Sequence, residues 1–208
     1  MKAQLLVVAK APVPGRVKTR LCPPCTPEQA AELAAAALSD TLAVAGATDA
    51  ARHVLLHSGR YQAPPGWHPV PQRGTGLAAR LANGFADTAR PDTASVLIGM
   101  DTPQVTPALL DALADRLDRY DAVLGPAEDG GWWGLALRDP GDGEALRDVP
   151  MSTVDTGRDT VAALERRGLQ VGYAEPLRDV DTVADARHVA RRYPRGAFAF
   201  AVRRLGLR

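Results

Sequence analysis

Leu5-Leu6-Val7-Val8-Ala9, running directly into Lys10-Ala11-Pro12-Val13-Pro14-Gly15-Arg16-Val17-Lys18-Thr19-Arg20-Leu21, is the stretch on which the fold turns. Five consecutive apolar residues without alternation suit a strand covered on both faces, the habit of parallel sheets. The polar, Pro-rich segment that follows, up to Cys25, places Lys10, Arg16, Lys18 and Arg20 within eleven residues and includes no acid. Gly15 lets a ligand approach the backbone, and the prolines reduce the entropy lost on binding. Arg supplies forked contacts and Lys a point charge, so the loop suits a polyphosphate. It is not a P-loop, because the Gly-x4-Gly-Lys-Ser/Thr spacing is missing. The plain alternative is a solvated loop with incidental charge.

Working outward, strand and helix patterns alternate. Thr26-Pro27-Glu28 opens a helix, with Thr as N-cap, Pro in the first turn and an acid beside it; the body runs to about Ala45, and Gly46 can end it. His53 to Ser58 reads as a strand, and Gly76 to Arg90 as a helix with Leu77, Leu81 and Phe85 on one face. Ser95 to Met100 is a second buried strand, and Thr106-Pro107 repeats the capping device before a helix to Tyr120. Strands at Ala122 to Gly125 and Trp132 to Leu137, a helix from about Arg158 to Arg167, a strand at Gln170 to Ala174 and a helix from Thr182 complete the pattern. Such alternation predicts an α/β fold with a mostly parallel sheet and helices on both faces. The strand at Trp132 follows its predecessor after a short Gly-rich turn, so an antiparallel member, and hence a mixed sheet, is expected.

The composition fits one folded unit, expected to span residues 1–208. Of 208 residues, 46% are hydrophobic and 24% charged, which excludes intrinsic disorder. A net charge of +1 gives no global reason to expect nucleic acid. No apolar run approaches membrane length, and two cysteines cannot staple a chain of this size, so a cytoplasmic protein without membrane insertion is expected. The balance hides an asymmetry: Ala186 to Arg208 carries seven Arg and no acid, and the remainder is net −6. This basic end (186–208) reads as a solvated helix and tail; anionic lipid, nucleic acid or a phosphorylated substrate are the other readings. The 3 lysines, Lys2, Lys10 and Lys18, all lie near the first strand, against 22 arginines elsewhere and beside them.

Ligands of open α/β sheets sit beyond the carboxyl ends of the strands. That rule selects the loop after Ala9, the residues after Met100 and the turn after Gly125. Asp101 leaves an apolar strand directly, where a carboxylate can hold Mg²⁺ or Mn²⁺ against phosphate oxygens, or can simply cap a turn. Glu128-Asp129-Gly130-Gly131-Trp132-Trp133 sets acids and aromatics on a Gly turn. It reads as an acceptor-side wall of Gly130, Gly131 and Trp132 with Asp129 binding or deprotonating the acceptor, or else as a tight hairpin with core tryptophans. The two tryptophans should point to opposite faces, so at most one should line a site. Gln72 and Gly74 precede a helix whose N-terminal amides could meet a base or phosphate.

Ala9-Lys10-x-Pro12-x-Pro14-Gly15-x-Val17-Lys18-Thr19-Arg20-Leu21 resembles the opening of a bacterial family in the nucleotide-diphospho-sugar transferase superfamily, described as radical-SAM/selenodomain-associated transferases or glycosyltransferases. It is similar, more distantly, to 2-phospho-L-lactate and molybdenum-cofactor guanylyltransferases. Ile98-Gly99-Met100-Asp101-Thr102-Pro103, Gly125-Pro126-Ala127-Glu128-Asp129-Gly130-Gly131 and Asp179-Val180-Asp181-Thr182 match in the same order. The resemblance implies a Rossmann-like GT-A domain. It implies that Asp101 and Asp181 share a metal, and that Ala9, Lys10, Gly15, Arg16, Lys18 and Arg20 surround donor phosphates. Asp179 would orient the loop, and Thr182 and Asp185 would cap the next helix. Where relatives have Gly-Asp-Leu-Gly, this chain has Thr75-Gly76-Leu77-Ala78, lacking that acid.

The expected activity is therefore transfer from a nucleoside triphosphate or nucleotide sugar to a small acceptor, with Lys18 and Asp129 catalytic. The charged loop favours nucleotidyl transfer, and the family description favours glycosyl transfer. Lys18 is expected to act on the transition state and to have no packing role. A non-catalytic nucleotide-binding module would keep the basic loop without needing the acids. A thiol oxidoreductase working through Cys22 and Cys25 is a remote alternative, since the connection from Ala9 is long and no aromatic precedes the pair. The four histidines show no metal-ligand spacing.

Overall fold

A computed structural model describes residues 2–207. Its single seven-stranded sheet comprises β1 (Ala3–Lys10), β2 (Arg52–Ser58), β3 (Trp67–Pro71), β4 (Ala94–Ile98), β5 (Ala122–Pro126), β6 (Trp132–Leu137) and β7 (Val171–Tyr173), in the order β3-β2-β1-β4-β6-β5-β7. All neighbours are parallel except β6, which runs antiparallel to both β4 and β5. The mixed sheet expected from the short turn before Trp132 is what forms. Inserting β6 in reverse leaves β1, β4 and β5 pointing the same way, so their three following loops gather at one edge.

Alternate residues of each strand serve opposite faces. Leu5, Val7, Val96, Ile98 and Val123 pack under α1 (Pro27–Gly46) and α3 (Pro107–Asp115). Leu6, Val54, Leu97, Leu124 and Leu135 pack under α2 (Gly76–Thr88) and α4 (Thr156–Glu165). Helices thus cover both faces, as the unbroken apolar strand patterns require.

α1 is buried on two sides. Ala31, Ala34, Leu38 and Leu42 face the sheet, whereas Ala30, Leu33 and Ala37 face a third layer of α5 (Val183–Arg192) and α6 (Ala197–Arg204). Its small alanines let helices approach from both directions. The basic end is therefore no tail: α6 docks on α1, and its N-terminus is capped from a distance by Asp40, which accepts from Ala197 N–H and Phe198 N–H at 2.8 Å each. Gly196 at φ 96° permits this approach, since a Cβ there would sit 2.6 Å from Asp40 Oδ2.

β3 was not legible as a strand. It contains Pro69 and Pro71, stays largely exposed, and lies at the sheet edge, where a missing N–H costs no ladder bond. Two helices are shorter than their patterns suggested: α2 ends at Thr88, and α3 gives way at Arg116 to a single 3-10 turn. Among the described residues no helix is long and apolar enough to cross a membrane.

Candidate active site

The three loops converge on a cleft of about 710 Å³ at the carboxyl edge of the sheet. The basic loop forms one wall. Val13 C=O accepts from Arg16 N–H at 3.0 Å, closing a turn in which Gly15 takes φ 72°. Lys18 itself is left-handed (φ 48°, ψ 40°) at the start of the 3-10 turn Thr19–Leu21. This turn buries Leu21 against the third layer, which anchors the end of the loop.

Lys18 does not point into solvent. Its Nζ lies 2.7 Å from Asp101 Oδ1 and 2.9 Å from Asp181 Oδ1, with the side chain only 8% exposed. Arg20 Nη1 reaches the other oxygen of Asp181 at 3.0 Å. Burial alone would make the ammonium easier to deprotonate, but the two carboxylates outweigh it and hold its pKa above the ordinary value. Asp181 is shifted downward: burial opposes this, and Lys18 and Arg20 together prevail. The expectation that Lys18 has no packing role is corrected: it is the buried tie between two loops.

Asp179 is the residue the sequence undervalued. Burial, reinforced by the charges of Asp101 and Asp129, pushes its carboxyl up to about 7. Its Oδ1 is buried without a hydrogen-bond partner. Its segment is held against both other loops: Val180 N–H donates to Asp101 C=O at 2.9 Å, Gln104 Nε2 to Arg178 C=O at 2.7 Å, and Glu128 N–H to Leu177 C=O at 3.0 Å. Thr182 and Asp185 form the capping box expected of them.

Of the residues expected at the site, Ala9, Lys10, Arg16, Lys18, Arg20 and Gln72 line the cleft. Asp101, Asp129, Asp181, Gly131 and Trp132 do so too. Gly15, Gly74 and Gly130 do not; their glycine character answers to backbone geometry, at φ 72°, 111° and 91°. At Gly130 a Cβ would fall 2.0 Å from Val154 C=O, because the Gly turn packs on the loop before α4. Gln72 spends both amide N–H groups on Ala9 C=O (3.0 Å) and Leu56 C=O (2.8 Å), which ties β1 to β2 and leaves only its oxygen for a ligand. Asp129 Oδ1 accepts from Gly131 N–H at 2.9 Å, so its other oxygen is the one available.

Both tryptophans border the cleft, against the expectation of one. Trp132 hydrogen-bonds Thr160 Oγ1 on the α4 side; Trp133 is 2% exposed, bonds Glu175 C=O on the opposite face, and is core that the cleft floor merely touches. The sequence reading also missed Arg80 and the segment Met151, Ser152, Thr153, Val154 and Thr156, which line the same cleft. The hydroxyl-rich run Ser152-Thr153 before a helix was the available signal.

Cys22 and Cys25 are free thiols that do not line the cleft; Cys25 packs among Leu33, Val183 and Phe198. Burial pushes the Cys25 thiol up, whereas an exchanging thiol needs the reverse.

The model of a bacterial family described as an uncharacterized protein conserved in bacteria (DUF2064) matches residues 29–153, more than half of the chain. The chain belongs to this family. No curated protein matches it. Among solved structures, this DUF2064 chain is similar to a protein of Desulfovibrio desulfuricans G20 assigned as a nucleotide-diphospho-sugar transferase, at 26% identity and TM-score 0.85, covering 98% of this chain and 95% of that one. It shares its fold with Rv0371c of Mycobacterium tuberculosis H37Rv in complex with manganese, at 24% identity and TM-score 0.56, covering 92% and 100% of the two chains. The same fold occurs in 2-C-methyl-D-erythritol 4-phosphate cytidylyltransferase of Thermus thermophilus, at 15% identity and TM-score 0.58, covering 97% and 99%. The fold of this DUF2064 protein is thus that of the nucleotide-diphospho-sugar transferases.

Proposed function

We propose that this protein is a divalent-metal-dependent transferase that takes a nucleotide donor and a small acceptor. The observation that carries the reading is the convergence of Lys18, Arg20, Asp101 and Asp181, drawn from three distant loops, in one cleft at the carboxyl edge of the sheet.

The residues present fit a metal. One ammonium already satisfies both Asp101 and Asp181, so the two carboxylates are close enough to share a single cation. Among the described residues no group of three His, Cys, Asp or Glu forms a complete cage. Two carboxylates completed by waters and phosphate oxygens suit Mg²⁺ or Mn²⁺. Asp101 and Asp181 would hold the ion, and it would supply positive charge to phosphate oxygens.

The chain's own residues do the rest. Lys10, Arg16 and Arg20 draw the donor's phosphates to the basic wall, and Arg16, exposed at the rim, adds forked contacts. Lys18 is the ammonium nearest the acids and opposes the negative charge that grows on the departing phosphate. Asp129, with one oxygen fixed by Gly131 N–H, presents the other to the acceptor hydroxyl and takes its proton. Trp132 and the Met151–Thr156 loop bound the acceptor's space.

The density of cations in the loop favours a triphosphate, hence attack on its α-phosphorus with pyrophosphate leaving. Glycosyl transfer, with a nucleoside diphosphate leaving, is the alternative favoured by the likeness to the D. desulfuricans protein. A thermal-shift panel of nucleoside triphosphates and nucleotide sugars, with and without Mg²⁺ or Mn²⁺, tests donor binding; assay of pyrophosphate against nucleoside diphosphate separates the two reactions. Donor affinity that ignores metal and survives Asp101→Asn would leave a non-catalytic nucleotide-binding module instead.

A further inference from the structure

The face of α5 and α6 turned away from α1 is cationic, apolar at two points, and used by nothing in the cleft. Arg191, Arg192, Arg195 and Arg203 are exposed there, and none is paired with a carboxylate among the described residues. Four unpaired arginines thus stand within thirteen residues of one another along the chain, with no acid between Ala186 and the chain's end. The acids that approach the patch are already occupied. Glu32 pairs with Arg204, and Asp40 caps α6. Two large apolar side chains stand out among these charges: Phe200 at 60% exposure and Tyr193 at 42%, the latter with the Arg192 guanidinium 5.9 Å from its ring centre.

We propose that this face is a peripheral docking surface for an anionic lipid bilayer. Charge decides against a second copy of the chain, because two such faces would repel. Exposed aromatics among unpaired arginines on a helix–turn–helix match the interfacial pattern, in which rings enter the headgroup boundary and guanidinium groups meet lipid phosphates and carboxylates. The turn between the helices, Tyr193-Pro194-Arg195-Gly196, is fixed rather than loose: Arg203 Nη1 donates to Pro194 C=O at 2.9 Å, and Asp40 holds the next two amides. Phe200 and Tyr193 are therefore presented on a rigid frame, which limits the entropy lost on docking. α5 starts two residues after Asp181, and its ten residues span about 15 Å, so docking would hold the cleft near the bilayer surface.

The test is co-sedimentation of the full chain with vesicles of phosphatidylcholine alone and of phosphatidylcholine with 30% phosphatidylserine, at low and high salt. The expected result is binding to the anionic vesicles only, lost on raising salt. Combined Arg191→Glu, Arg192→Glu and Arg195→Glu should abolish it. Phe200→Ser should weaken it roughly tenfold while leaving its salt dependence in place. These side chains are exposed and outside the cleft, so melting temperature and nucleotide binding should be unchanged, which separates loss of docking from loss of folding. Equal pelleting with neutral vesicles, no pelleting at low salt, or indifference to the charge reversals overturns the proposal. Tight binding to single-stranded RNA with none to vesicles also overturns it, in favour of a nucleic-acid partner.

Discussion

Lys18 Nζ and Asp101 Oδ1 are 2.7 Å apart, and the same ammonium reaches Asp181 Oδ1 at 2.9 Å. A buried cation and two partly exposed carboxylates, from three loops, thus form one unit. The cation that should serve donor phosphates rests, in this arrangement, on the acids that should serve a metal. Metal and ammonium therefore compete for the same oxygens.

That competition is measurable without turnover. Lys18→Met should raise the affinity of nucleotide-free protein for Mn²⁺, whereas Asp101→Asn and Asp181→Asn should lower it. Titration by electron paramagnetic resonance or calorimetry reads the change directly. If Lys18→Met binds Mn²⁺ no better than the parent, the carboxylates do not share one cation position.

For turnover, Lys18→Ala should cost roughly a hundredfold or more, the scale of losing one preorganised charge at a developing anion. Lys18→Arg should recover only part, because a planar fork cannot occupy a point between two carboxylates. Unlike a solvated lysine, Lys18 should also lower the melting temperature when removed, since its loss leaves Asp101 and Asp181 facing each other. Retained turnover in Lys18→Ala would remove the phosphate-loop assignment.

Cys22→Ser and Cys25→Ser should leave turnover unchanged. Cys25 should react slowly with thiol reagents at neutral pH, because burial keeps it protonated. Loss of activity on either substitution alone, with the fold intact by circular dichroism, would bring the thiol reading back.

Gly130→Ala should destabilise the chain by at least about 2 kcal/mol, through the positive φ and the clash with Val154 C=O. Chemical denaturation measures this. Gly15→Ala, also at positive φ but with open space where the Cβ would sit, should cost clearly less. Comparable losses at both positions would mean that dihedral strain alone, and not the packing of the turn on the Val154 loop, sets the cost.

Much was legible from local patterns. Unbroken apolar runs at Leu5, Ser95 and Ala122 gave buried strands, and the Thr-Pro and Thr-x-x-Asp devices located the starts of α1, α3 and α5, because strand periodicity and N-capping depend on residues a few positions apart. The same locality explains the failures. β3 carries two prolines that only an edge position tolerates, and edge position is a property of the assembled sheet. α6 shows no cap of its own, since the cap is Asp40, 157 residues earlier.

The sequence by itself determined the chemistry available: a cation-rich, acid-free loop after β1, lone carboxylates after β4 and before α5, and a Gly turn after β5. Only the tertiary structure decided who faces whom. Lys18 lies 163 residues from Asp181, and their contact exists because β7 runs parallel to β5, which brings the segment after it to the same edge as the loops after β1 and β4. Charge at close range acts over a few ångströms in space, whatever the separation along the chain, so pairing, burial and the shifted carboxyl of Asp179 follow from strand order and could not be read from spacing.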